Sequence, residues 1–96
     1  MRKYEVMFIV RPDLEEAAIK KVADDMKKVL SSKTTKVVDV KEMGQKELAY
    51  EIKKYKTGYY YLFNVEASTS DDMNEFDRLA LISEDIIRHL VVRIDE

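Results

Sequence analysis

Apolar and polar positions alternate from the start of the chain. Tyr4, Val6, Phe8 and Val10 fall on one side of an extended segment, and Glu5, Met7 and Ile9 on the other, the period-two pattern of a strand. Because both sides turn apolar beyond Val6, Arg2 to Val10 reads as a central strand. Pro12 ends it. Asp13-Leu14-Glu15-Glu16 offers a cap with an acid three residues later, predicting a helix that runs to about Leu30. Within it Ala18, Val22, Met26, Val29 and Leu30, flanked by Ile19 and Ala23, recur at helical spacing, while Glu16/Lys20 and Asp24/Lys28 make pairs on the wet side. Ser31 to Thr35 is a polar connection that lacks the glycine often found after a helix.

Alternation then returns. Val37-Val38-Asp39-Val40 is an extended run, and beyond it Lys46, Leu48, Tyr50 and Ile52 share one side of a strand whose other side holds Gln45, Glu47, Ala49 and Glu51. Gly44 between the two runs reads as a bulge or bend within one long strand, able to re-aim Lys46 and Tyr50. Lys53 to Gly58 reads as a basic, turn-rich hairpin tip, and Tyr59 to Ala67 as an antiparallel partner strand rich in aromatic and β-branched residues. Ser68 to Asp72 is a second capping region, followed by an amphipathic helix marked by Met73, Phe76, Leu79 and Ala80 and ending near Ile82. Ile86 to Ile94 closes as a strand, with Leu90-Val91-Val92 leaving its inward parity open.

The order βαββαβ predicts an α+β, ferredoxin-like fold: a four-stranded antiparallel sheet with two helices on one face. Right-handed crossovers place the first and third strands centrally. The other sheet face is left uncovered, with Met7 and Ile9 upon it, and an open apolar face of this kind is commonly a partner site. Residues 1–96 are read as a single domain, a length that supports one core.

Composition narrows the chemistry. The chain has no cysteine, which excludes disulfides and thiolate chemistry and suits a reducing, cytoplasmic setting. No apolar run approaches a membrane span. Two glycines cannot build a phosphate-cradling loop, and His89, the single histidine, reads as a packed strand residue rather than a base or ligand. No catalytic set, metal site or cofactor is expected. A net charge of −2 hides an asymmetry: residues 33–65 carry seven lysines against four acids, and residues 66–96 three arginines against nine acids. Such a split can give one basic face to meet phosphate and one acidic face, the plain alternative being a solvated charged surface.

Six tyrosines and three phenylalanines lie among the lysines, a composition that suits RNA. Lys56 to Phe63 approximates the basic-glycine-aromatic strand of an RNA recognition motif, but Thr57 and a tyrosine in place of a small residue break that pattern, so no base-stacking platform is assigned.

The opening Met1-Arg2-Lys3-Tyr4-Glu5-Val6, the run Gly44-Gln45-Lys46-Glu47-Leu48-Ala49-Tyr50-Glu51-Ile52, Gly58-Tyr59-Tyr60, and Ile86 through Arg93 occur in an order and spacing that resemble the bacterial ribosomal protein S6 family along essentially the whole chain. The resemblance implies a non-catalytic constituent of the small ribosomal subunit, located in the cytoplasmic ribosome, that binds ribosomal RNA together with a small basic partner, ribosomal protein S18. It implies contacts to RNA or partner from Arg2, Lys3, Tyr4, Lys46, Tyr50, Arg88 and Arg93. Glu47 stands where the family commonly has a second basic residue, and an acid facing phosphate would weaken binding. A ferredoxin-like regulatory or dimerisation module without RNA affinity is the alternative, because this sheet architecture hosts many functions.

Overall fold

The structure, a computed structural model, describes residues 2–94; Asp95 and Glu96, counted in the acidic segment, lie outside the described residues. The elements run β1 (Arg2–Val10), α1 (Glu16–Val29), β2 (Thr35–Ile52), β3 (Tyr55–Ala67), α2 (Asp71–Ile82) and β4 (Ile86–Arg93). All strand pairs are antiparallel and the sheet order is β2-β3-β1-β4. The ferredoxin-like plan expected from the pattern is the one observed.

The helices bury their apolar stripes on one sheet face. Ile19, Ala23 and Met26 of α1, with Leu30 just beyond it, and Met73, Phe76 and Ala80 of α2 meet Val6, Phe8, Val10, Tyr61, Phe63 and Val65. Phe8 is the hub. Its ring stacks on Tyr61 at 5.3 Å, meets Phe63 edge-on at 5.4 Å, and lies 6.0 Å from Phe76 across the layer. Such aromatic pairs add about 0.5–1.5 kcal/mol each beyond the area they bury.

Two helix ends depart from expectation. Asp13 does not cap α1, which begins at Glu16 after Glu15; its carboxylate instead faces Arg11 at 3.6 Å and receives the Tyr55 hydroxyl at 3.4 Å. The missing glycine after α1 also finds its reason. Ser31 donates through Oγ to the Lys27 carbonyl at 2.8 Å and through its backbone N–H to Lys28, satisfying carbonyls that a left-handed glycine would otherwise help to cover.

Asp72, in the first turn of α2, ties that helix to the α1–β2 loop. It accepts from Ser32 Oγ at 2.5 Å and Thr34 Oγ1 at 3.4 Å, while the buried Thr35 hydroxyl stands near the same carboxylate without reaching hydrogen-bond geometry. The Ser32 hydroxyl first, then those of Thr35 and Thr34, hold the Asp72 carboxyl below its ordinary range.

Strand β2 is bent more often than its sequence suggests. Its pairing with β3 shifts register between Val37 and Asp39, between Glu42 and Gly44, and between Glu47 and Ile52. The second shift is the bulge expected at Gly44, which takes a φ of 78°. The third is larger: residues 48 to 51 face the single residue Lys56. The tip expected over Lys53 to Gly58 is only two residues long, since β3 already begins at Tyr55. Lys53 and Lys54 turn the chain with φ of 50° and 72°, the left-handed region, which disfavours a residue with a Cβ by about 1–2 kcal/mol.

Candidate RNA and partner interface

Cross-strand partners share a sheet face, so the register assigns each side chain. On the face away from the helices lie the rows Tyr60–Ile9–Arg88, Leu62–Met7–Leu90, Asn64–Glu5–Val92 and Glu66–Lys3. The middle of that face is an apolar strip in which Leu90 is 49% and Val92 42% exposed, continued at one margin by Val38 and Ile94. Met7 is half-buried on it, as the alternation of β1 requires. Ile9 is not open: it is 2% exposed.

What covers Ile9 is the far end of the β2–β3 hairpin. The three extra residues between Glu47 and Ile52 let the hairpin arch over the sheet, so that Leu48, Tyr50 and Ile52 line a groove with Met7, Ile9, Tyr60 and Arg88. Gly58 permits the approach. A Cβ there would stand 2.3 Å from Ile9 Cγ2 and 3.3 Å from the Val10 carbonyl oxygen. The base of the arch is pinned by Arg11, whose Nε donates to Asp85 Oδ1 at 3.0 Å beside the Tyr55–Asp13 contact.

The bulges also decide where the lysines of β2 point. Lys36, Lys41 and Lys46 pair with Glu66, Leu62 and Gly58, all on the open face. The row spans four β3 residues per step, about 13 Å. Lys36 and Lys41 have opposite parity, so strict alternation would have split them; a bulge between them brings them to one side. They are the functional candidates that the sequence reading missed. Glu47 pairs with Thr57 and therefore points to the helix side, away from Lys46.

The seven residues expected to make contacts fall into two groups. Lys46, Tyr50 and Arg88 come together at the hairpin end. Tyr50 is 61% exposed; its hydroxyl accepts a hydrogen bond from Arg88 Nη1, and the guanidinium carbon stands 5.9 Å from the ring centroid, a cation–π arrangement. Arg2, Lys3, Tyr4 and Arg93 gather at the opposite end, about 20 Å away along β1. There Lys3 faces the open side, whereas Arg2, opposite Ala67, and Arg93, opposite Tyr4, lie on the helix side of the margin. Tyr4, named among the expected contacts, shares parity with Val6 and Phe8 and is 7% exposed in the core.

His89 faces α2, where Nε2 lies 2.6 Å from Asp77 Oδ1 and the ring meets Phe76 edge-on at 6.0 Å, the packed role expected of it. Tyr61 and Phe63 are likewise committed to the core, leaving Tyr60 as the aromatic of β3 on the open face within the rows above. Among the described residues no cluster of His, Cys, Asp or Glu is arranged to hold a metal, and no helix is long and apolar enough to cross a membrane.

A family model described as Ribosomal protein S6 matches residues 3–93. In solved structures, the chain is similar to the 30S ribosomal protein S6 of Thermotoga maritima, with a TM-score of 0.89 and 28% sequence identity over 97% of this chain and 87% of that one. Since the family match runs over residues 3–93, through all four strands and both helices, and the fold agrees with that solved structure, the chain belongs to the ribosomal protein S6 family.

Proposed function

We propose that the chain is a structural constituent of the small ribosomal subunit that binds ribosomal RNA together with ribosomal protein S18. The observation that carries this reading is the uncovered sheet face, where an apolar strip and a row of lysines lie side by side. The strip from Met7 and Leu62 to Leu90 and Val92 offers a protein partner apolar area to bury. Lys36, Lys41 and Lys46, with Lys3 and Arg88, offer charge to phosphates, which fixes position without reading bases. The net charge of −2 gives little long-range attraction to RNA, so a basic partner on the strip supplies much of the remaining affinity.

The test is a salt titration of binding to small-subunit ribosomal RNA with and without S18. Tight binding is expected only with the partner present, and Lys46→Glu should lower the salt slope by about 1. Equal, tight affinity in both arms would remove the cooperative account. Sedimentation of the purified chain provides the contrast: a stable homodimer without RNA affinity would replace this reading with that of a dimerisation module.

A further inference from the structure

The two residues that close the β2–β3 hairpin are both lysines in the left-handed region, at φ 50° and 72°. A two-residue turn of this shape is filled without strain by Asn-Gly or Gly-Gly, because a Cβ in that region crowds the following carbonyl oxygen. Local chemistry does not explain the choice. Both lysines are exposed, and among the described residues neither is in an ion pair. A disfavoured backbone at a solvent-facing tip points to what the side chains do there.

Their placement shows what that is. Lys53 lines a shallow groove with Leu81, Ile86, Ile87 and Arg88, so the tip stands beside the arginine that holds Tyr50. Lys56 follows, also exposed. The tip thus adds cations beside Arg88 at the β4 edge, where the end of α2 meets the sheet. Lysine is a compact point charge on a flexible stem, suited to phosphate and not to base edges.

We propose that Lys53 and Lys54 form a phosphate contact for RNA, a cationic prong that seats on the sugar-phosphate backbone next to Arg88. The assignment rests on the ribosomal RNA reading above and adds a site to it. The competing reading gives Lys53 alone a structural role, since the last turn of α2 holds no basic residue and a lysine near its carbonyls would complement the helix dipole. That role does not extend to Lys54, and it makes the opposite prediction for stability.

The experiment uses the full chain with S18 and small-subunit ribosomal RNA, and compares wild type with three double variants. K53N/K54G installs the unstrained turn without charge: its urea midpoint should rise while the slope of log K against log salt falls by about 1.5. K53Q/K54Q should lose the same slope with no gain in midpoint, and K53R/K54R should keep the wild-type slope. A wild-type slope in K53Q/K54Q, or a lower midpoint in K53N/K54G, would overturn the proposal by assigning these lysines to solvent or to the fold. Failure of the wild-type chain to bind the RNA at all would instead remove the ribosomal reading, and the prong with it.

Discussion

Replacing Gly58 by alanine tests the arch over the sheet. The new methyl would stand 2.3 Å from Ile9 Cγ2, 3.3 Å from the Val10 carbonyl oxygen and 3.5 Å from Ile87 Cδ1. Ile9 cannot step aside: it is 2% exposed, sits in a central strand, and its Cγ2 is the branch methyl of a side chain stiff at χ1. Overpacking of this kind costs about 1–3 kcal/mol. The alanine recovers about 0.4–1 kcal/mol by restricting the unfolded chain, so the net loss should be about 1–2 kcal/mol. For a domain of this size that lowers Tm by about 4–15 °C. Urea denaturation followed by circular dichroism should show a lower midpoint at unchanged slope. Ile9→Leu removes the branch methyl, so G58A in that background should cost about 1 kcal/mol less than in the wild type. If G58A matches the wild type, or costs the same in both backgrounds, the hairpin does not lie against Ile9 and the described groove is wrong.

Two further outcomes follow from the fold. At Gly44 the φ of 78° is the whole objection to a side chain, since an added Cβ meets nothing within 4 Å; Gly44→Ala should cost about 1 kcal/mol, and Ile9→Leu should leave that cost unchanged in the same denaturation assay. Folding lowers the Asp72 pKa through the Ser32, Thr35 and Thr34 hydroxyls, so its contribution is present above the unfolded pKa and is lost as pH falls through the folded value. Asp72→Asn should therefore cost about 1 kcal/mol near neutral pH and much less in strong acid, and an equal cost at both would show that the charge is not what holds α2 to the loop.

The architecture was legible because its signals are local and periodic. The alternation of Tyr4 to Val10 and the helical spacing of Ile19, Ala23 and Met26 each name their buried side, and Gly44 marked a real bulge. Register was not legible in the same way. Nothing in residues 48 to 51 announces that they oppose only Lys56, and nothing at Val38 marks a second bulge, because such shifts are set by strand pairing and by what the hairpin covers. Strict alternation therefore does not place Lys36 and Lys41 beside Lys46, whereas the bulged pairing does. The burial of Tyr4, by contrast, is local: its alternation with Val6 and Phe8 places it inside. The bend expected to aim Tyr50 exists, but Arg88 fixes the ring across a gap of 38 positions that periodicity cannot bridge.

The sheet order β2-β3-β1-β4 carries a consequence for synthesis. The strand translated first becomes an inner member of the sheet, and one of its two neighbours is the strand translated last. While β4 is still inside the exit tunnel, β1 presents an unfilled edge and the α2 side of the core has no outer wall. Stable native packing must therefore wait until β4 has emerged, and during that interval the unfilled edge of β1 is open to pairing with another polypeptide.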